Sequence, residues 1–152
     1  MLTDSRVVEF YYSYKKMSNI DQIHAKAKKE FWEHFEESRI EYGLDVWAAR
    51  STSNKNEFIG WGGLLHTELS LKYEGPELQY MIAGNAHGIG YATELATAVL
   101  DYAKKGGLKS VIATVDIPNI GSIKVLGKLG FEQVGKIDAY GSTDMYLYRK
   151  EL

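Results

Sequence analysis

The sequence predicts a mixed α/β sheet with helices packed against it. Three observations carry this. Strand-like and helix-like segments alternate from residue 44 onward, two neighbouring strands read as a hairpin, and a strand at Leu78–Ala83 runs through a glycine-bearing loop straight into a helix. With 152 residues, 45% hydrophobic and 25% charged, the chain fits one domain with a sizeable core.

The elements follow in order. Residues 7–17 hold Phe10, Tyr11, Tyr12 and Tyr14 and read either as strand or as helix. Ser18 or Asn19 can cap a helix, with Asp21 or Gln22 completing a capping box. Ile20, Ile23, Ala27, Phe31, Phe35 and Ser38 then recur at helical spacing, and Lys26, Lys28, Lys29, Glu30, Glu33, Glu36 and Glu37 form the solvated face. Leu44–Arg50 reads as a strand, residues 51–56 as a polar turn, and Glu57–Leu65 as the hairpin partner. Gly60, Gly62 and Gly63 in that partner imply close backbone packing or a bulge. His66–Pro76 is expected to be a longer loop. A helix spans about Tyr91 to Lys105, with Ala92, Leu95, Ala96, Val99, Leu100 and Ala103 as its apolar stripe and Gly106-Gly107 as its stop. Val111–Val115 is a central strand and Ile120–Leu129 a short helix ended by Gly130. Phe131–Ile137 and Thr143–Lys150 are strands joined by a loop containing Gly141. Gly127, inside the short helix, is unfavourable there by roughly 1 kcal/mol against alanine, and a close approach by a ligand or strand is one reason to keep it.

Composition narrows the function. The net charge of −2 shows no basic excess, so a nucleic-acid partner is not expected. No apolar run approaches the ~20 residues of a membrane span, and no signal-peptide pattern opens the chain. A cytoplasmic location and no membrane partner are the default expectations. The absence of cysteine removes disulfides, thiolate ligands and any cysteine acyl-enzyme. His24, His34, His66 and His87 share no ligand spacing, so no metal is expected.

The chemistry concentrates in residues 78–93. The first N–H groups of a helix lie outside its hydrogen-bond ladder and carry partial positive charge. Glycines such as Gly88 and Gly90, just ahead of a helix start, let an anion approach the backbone. The segment reads either as a phosphate or pyrophosphate site or as a tight strand-to-helix turn. A dinucleotide fingerprint would need a third glycine where Thr93 stands.

His87-Gly88-Ile89-Gly90-Tyr91-Ala92 resembles the acyl-CoA pyrophosphate loop of the GNAT acetyltransferases, Gln/Arg-x-x-Gly-x-Gly/Ala, and Thr93-Glu94 is similar to the helix start of the ribosomal-protein N-acetyltransferase (RimJ/RimL-like) branch. Asn119-Ile120-Gly121-Ser122, followed by a helix closing in Lys128-Leu129-Gly130-Phe131, resembles that branch's second motif. Both motifs, in order and one helix plus one strand apart, make the resemblance specific; it covers roughly residues 44–150. It implies the GNAT acyl-CoA N-acyltransferase fold, α/β (α+β), with a mixed, mostly antiparallel central sheet flanked by helices. It also implies transfer of acetyl directly from acetyl-CoA to a primary amine, either a protein N-terminal amine or a small amine.

The resemblance assigns residues to four demands. Pyrophosphate binding falls to the backbone around Gly88, Ile89, Gly90, Tyr91 and Ala92, with the Thr93 hydroxyl; His87, standing where the family has Gln or Arg, is either a phosphate donor or a surface histidine. Pantetheine would pair with the preceding strand through backbone groups of Met81, Ile82 and Ala83. Deprotonating the amine calls for a base, because an alkyl amine titrates near ~10.4. Glu77, Glu68 and Glu74 lie on the substrate side, with Glu77 the chosen candidate, each also readable as a solvated loop charge. In some relatives the base is a Glu where Thr114 stands here. The leaving thiolate is served in many relatives by a tyrosine, replaced here by Leu126, and in this branch by a serine, matched by Ser122. Asn119 would bond the pantetheine end or the substrate; Asn119 or Ser122 equally reads as a helix cap.

One acetyltransferase domain over residues 1–152 is therefore expected, with residues 1–43 a shortened substrate-side region and 44–150 the CoA-binding core. Relatives begin with a strand and helix before the segment resembling Asp4–Tyr14, which leaves the Leu44–Arg50 strand an open edge and predicts a homodimer through that edge or the N-terminal aromatics. The competing reading is a non-catalytic acyl-CoA-binding module of the same fold.

Overall fold

The computed structural model describes residues 33, 35–52 and 57–152. Expectations for residues 1–32, including the Phe10–Tyr14 aromatics and most of the first helix, lie outside these. The described end of that helix, α1 (residues 35–42), buries Phe35 and Ser38 as its stripe requires and exposes Glu36 and Glu37. Phe35 meets Trp61 edge-on at 5.2 Å, and Tyr42 stacks on His66 at 3.6 Å.

The described strands form one sheet in the order β1-β2-β3-β4-β6-β5. They are β1 (Val46–Arg50), β2 (Phe58–Leu65), β3 (Glu77–Ile82), β4 (Ser110–Asp116), β5 (Glu132–Ala139) and β6 (Ser142–Glu151). Only β3 and β4 are parallel. That is the mixed, mostly antiparallel sheet expected. β5 and β6 turn over Tyr140-Gly141, both at positive φ (53° and 75°), the backbone of a two-residue hairpin whose twist matches its strands.

The segment 66–76 is not a plain loop. It contains α2 (Glu68–Lys72), opened by a capping box in which the Thr67 hydroxyl accepts from Leu69 N–H and the Ser70 hydroxyl from Thr67 N–H. Five residues are too few to show apolar periodicity, which hides this helix from a sequence reading.

On one face of the sheet lies α3 (Tyr91–Lys105), burying Ala96, Val99, Leu100 and Ala103, followed along the chain by α4 (Ile120–Lys128), burying Leu126. Together with Leu64, Leu78, Val111, Ala113 and Val115 these side chains make the main core. The β2 glycines are there for close approach. A Cβ on Gly62 would lie 2.9 Å from the Leu95 side chain of α3, and one on Gly60 would collide with the Met81 carbonyl oxygen. Gly127 differs: among the described residues a Cβ there meets nothing within 4 Å, so no strand approaches it closely. The opposite face carries α1 and α2, over Trp61, Leu65 and Met81 on one side and Ile112, Met145 and Leu147 on the other.

Candidate active site

The site is built where the parallel pair β3–β4 comes apart. β3 pairs with β2 along its whole length, from Glu77↔Leu65 to Ile82↔Gly60. With β4 it pairs only at Glu77↔Ile112, where Ile112 N–H donates to Pro76 O at 3.0 Å. Beyond that point β4 continues with β6 to Asp116↔Met145, and no further β3–β4 ladder pair forms.

Strand parity decides which backbone groups face the splay. Ala83 N–H donates to Ile59 O at 2.8 Å. Alternate residues of a strand turn N–H and C=O to the same neighbour, so Met81 and Ala83 face β2, while Tyr80 and Ile82 face the open side. This corrects the sequence assignment for Met81 and Ala83: Met81 is directed into the β2 ladder, and Ala83 gives its N–H to Ile59 and its carbonyl to Ala86 N–H. Ile82 keeps its place, and Tyr80 joins it.

The strand then enters a 3₁₀ turn (Gly84–Ala86) and the glycine loop. Gly88 and Gly90 sit at φ 79° and 103°, a region in which side chains are strained, and their Cβ directions are open. Gly90 is the N-cap of α3 and supplies no side-chain cap. The first intrahelical bond runs from Glu94 N–H to Gly90 O at 3.1 Å, leaving the N–H groups of Tyr91, Ala92 and Thr93 outside the ladder. His87 folds back: its Nε2 lies 2.9 Å from Ile82 O. A carbonyl only accepts, so Nε2 carries the proton and that ring nitrogen is committed to tying the loop to the strand end. His87 is thus an exposed histidine, as one alternative had it, with one ring nitrogen bonded to the strand end. The Tyr91 hydroxyl lies 3.0 Å from Ser51 Oγ, joining the helix start to the end of β1.

Glu77 is no solvated loop charge. It opens β3, is 1% exposed, and its carboxylate accepts from the Thr114 hydroxyl at 2.6 Å and from the Tyr140 hydroxyl. Burial, then the charge of Glu77, push the Tyr140 phenol well above the ordinary tyrosine range. Of the other candidates, Glu68 opens α2 and is exposed, and Glu74 lies 3.6 Å from the Arg149 guanidinium. Asp116, buried at the end of β4, accepts from Ser142 Oγ at 2.9 Å. Sequence reasoning missed Tyr140, which is 63 residues from Glu77, and no local signal marks it.

On the α3/α4 face, Asn119 caps α4, its Oδ1 accepting from Ser122 N–H at 3.1 Å. Leu126, standing in the tyrosine position of many relatives, is 1% exposed in the core. Tyr80, also packed against that core, brings its hydroxyl beside Ser122. The residues named from the sequence thus gather at one splay: Glu77 at its closed end, Ile82 along it, residues 88–93 at its mouth, Asn119 and Ser122 across it. Among the described residues no group of three or more acidic or histidine side chains is placed to hold a metal, and no helix is long and apolar enough to cross a membrane.

Known proteins share this fold. The chain is 33% identical over 90 residues to YkkB of Bacillus subtilis, a match covering 59% of this chain and 51% of YkkB, so the aligned part spans about half of that relative. An acetyltransferase of Agrobacterium tumefaciens superposes with a TM-score of 0.73 at 19% identity, over 98% of this chain and 80% of that one. A ribosomal-protein-alanine N-acetyltransferase of Brucella melitensis does so with a TM-score of 0.63 at 19% identity, over 91% and 82%. At such identities the likeness is one of fold. The sequence profile of the acetyltransferase (GNAT) domain, however, matches residues 1–132, taking in both the splayed strands and the Asn119–Ser122 turn. That match covers most of the chain, splay and glycine loop included, and the chain belongs to the GNAT acetyltransferase domain family.

Proposed function

We propose that the chain is an acetyl-CoA-dependent N-acetyltransferase that moves acetyl directly to a primary amine. The observation that supports this best is the edge of β3, open at the Tyr80 backbone and the Ile82 N–H, leading to the uncapped start of α3. N–H groups of residues 88–93 would hold the pyrophosphate; charge-assisted hydrogen bonds at ~1.5–3 kcal/mol each outweigh the ~0.3–1 kcal/mol of the helix dipole. The Tyr80 backbone would pair with the pantetheine arm as an added strand would.

Glu77 would take the amine proton. Neutralising an amine of pKa ~10.4 at pH 7 costs about 4–5 kcal/mol at 1.36 per unit, and a carboxylate beside the acceptor, directly or through water, lowers that cost. Thr114 and Tyr140 hold the Glu77 carboxylate at the closed end of the splay. Ser122 and Asn119 would flank the thioester end. The ribosomal-protein-alanine N-acetyltransferase neighbour supports a RimJ/RimL-like chain with a protein N-terminal amine as acceptor; a small amine is the other class. A cytoplasmic location is part of the same proposal. β1 stands at the sheet edge among the described residues, which supports a homodimer through that edge.

Calorimetry with CoA, followed by an acetylation screen across amine classes, tests the reading; no CoA binding overturns it. The second reading, a non-catalytic acyl-CoA-binding module, is favoured by one observation, that both Glu77 carboxylate oxygens are occupied by hydroxyl donors. Turnover of any amine excludes it.

A further inference from the structure

Glu77 is read above as the base, yet its carboxylate is closed to an amine. It is 1% exposed, with one oxygen taken by the Thr114 hydroxyl and the other by the Tyr140 hydroxyl. A proton therefore reaches it through one of these two donors, and they are unequal. Thr114, half-buried on β4, carries an alkyl alcohol. An alcohol gives up its proton far less readily than a phenol, which titrates near ~10. Tyr140 stands at the tip of the β5–β6 hairpin and is 40% exposed, while its hydroxyl ends on the sealed carboxylate. It is thus a phenol that joins the surface to the buried base. A phenol oxygen also accepts hydrogen bonds. The Thr67 hydroxyl, at the N-cap of α2, gives it one, and among the described residues no further donor reaches it.

We infer that Tyr140 is a catalytic residue that relays the acceptor's proton to Glu77. The inference rests on the acetyltransferase reading above and fixes the proton path which that reading leaves open. An N–H bond of the acceptor's ammonium breaks as its proton joins the Tyr140 oxygen, while the Tyr140 O–H proton joins the Glu77 carboxylate. Tyr140 stays neutral, Glu77 becomes a carboxylic acid, and the nitrogen keeps the electron pair with which it attacks the acetyl carbon. The carbon–sulfur bond then breaks with its pair on sulfur, and the surplus proton of the attacking nitrogen ends on that sulfur as the thiol. Glu77 afterwards returns its proton to water along the same path. The two relayed protons move together, because a free phenolate is disfavoured at this position. Burial first, then the charge of Glu77, raise the phenol, with Glu68 adding a little and Thr67 opposing.

The pH profile of Tyr140→Phe tests this. An alanine-led peptide and butylamine are the probes, one for each acceptor class, and parent and variant are compared by kcat/KM. In the parent the relay frees bound ammonium, so the profile is flat above about pH 7. In the variant only amine already neutral in solution reacts. Its kcat/KM for butylamine should fall by about 10²–10⁴ near neutrality. It should then climb about tenfold per pH unit up to the acceptor's own pKa, ~8 for the peptide and ~10.4 for butylamine. A flat profile in the folded variant, lowered or not, leaves Tyr140 at most a positioning residue and overturns the inference, with the acetyltransferase reading intact. Thr114→Val, which removes the other donor, should keep the parent's profile shape; a rising profile there as well overturns the assignment to Tyr140. Failure of the parent to acetylate either probe overturns the acetyltransferase reading, and this one with it. Circular dichroism checks the fold of both variants. The parent alone gives a second measurement: in mixtures of light and heavy water, two protons moving together bow the plot of rate against deuterium content, and a straight line overturns the inference.

Discussion

Thr114 on β4 donates a 2.6 Å hydrogen bond to the buried carboxylate of Glu77 on β3. The strand leading into the Asn119–Ser122 motif carries no carboxylate at position 114, yet one lies against that position from the neighbouring strand. The adjacent pairing Glu77↔Ile112 puts the two side chains on one face, two residues apart along β4. A carboxylate is thereby held at the point where β3 and β4 part.

Glu77→Gln should keep the fold, because the Thr114 and Tyr140 hydroxyls can rotate to serve an amide. Once an acceptor is identified, its turnover should fall by about 10²–10⁴, the usual contribution of a positioned base. CoA affinity by calorimetry should not change. Turnover equal to that of the parent would remove Glu77 from the chemistry.

Thr114→Val removes a donor from a buried carboxylate and puts nothing in its place. The expected loss is about 1–3 kcal/mol of stability, read from urea unfolding midpoints. A neutral result would mean that water replaces the hydroxyl.

Gly90→Val should abolish CoA binding in a folded protein. Gly90 sits at φ 103° with open space in its Cβ direction, so the side chain clashes with nothing but strains the loop, by about 1–3 kcal/mol. Circular dichroism of the variant checks the fold, and calorimetry the binding.

High pH should destabilise the protein in part through Tyr140. Its folded pKa is raised by burial first and by Glu77 second. A group raised on folding holds its proton in the native state while the unfolded chain releases it near pH ~10. Its contribution is thus complete below about pH 10 and is lost progressively as pH rises further. Tyr140→Phe should flatten the fall in stability above that pH, measured as urea midpoints; an unchanged slope would exclude Tyr140 as its source.

Light scattering at tens of micromolar should give a dimer if the outer edge of β1 is an interface. Val46→Pro on that strand should then dissociate it. A monomeric parent rules the interface out.

Sequence alone determined what depends on near neighbours in the chain. The apolar stripe of α3, the glycines that stop it, the alternation of strands and the loop at Gly88 and Gly90 all express periodicity or backbone freedom within a few residues. Both motifs belong to this class, which is why the family was legible. The five-residue α2 escaped, being shorter than its own period can reveal. Tertiary structure decided everything that depends on register. Glu77 meets partners 37 and 63 residues away, and no local pattern encodes such distances. Parity against β2 turned Met81 and Ala83 away from the splay and Tyr80 towards it, a choice that a one-residue shift of the ladder would reverse. His87 is bound to Ile82 because the loop folds back upon the strand end. The physical reason is common to all of these: local conformation is set by each residue's own torsional preferences, whereas the partners of a buried polar group are set by how the strands pair.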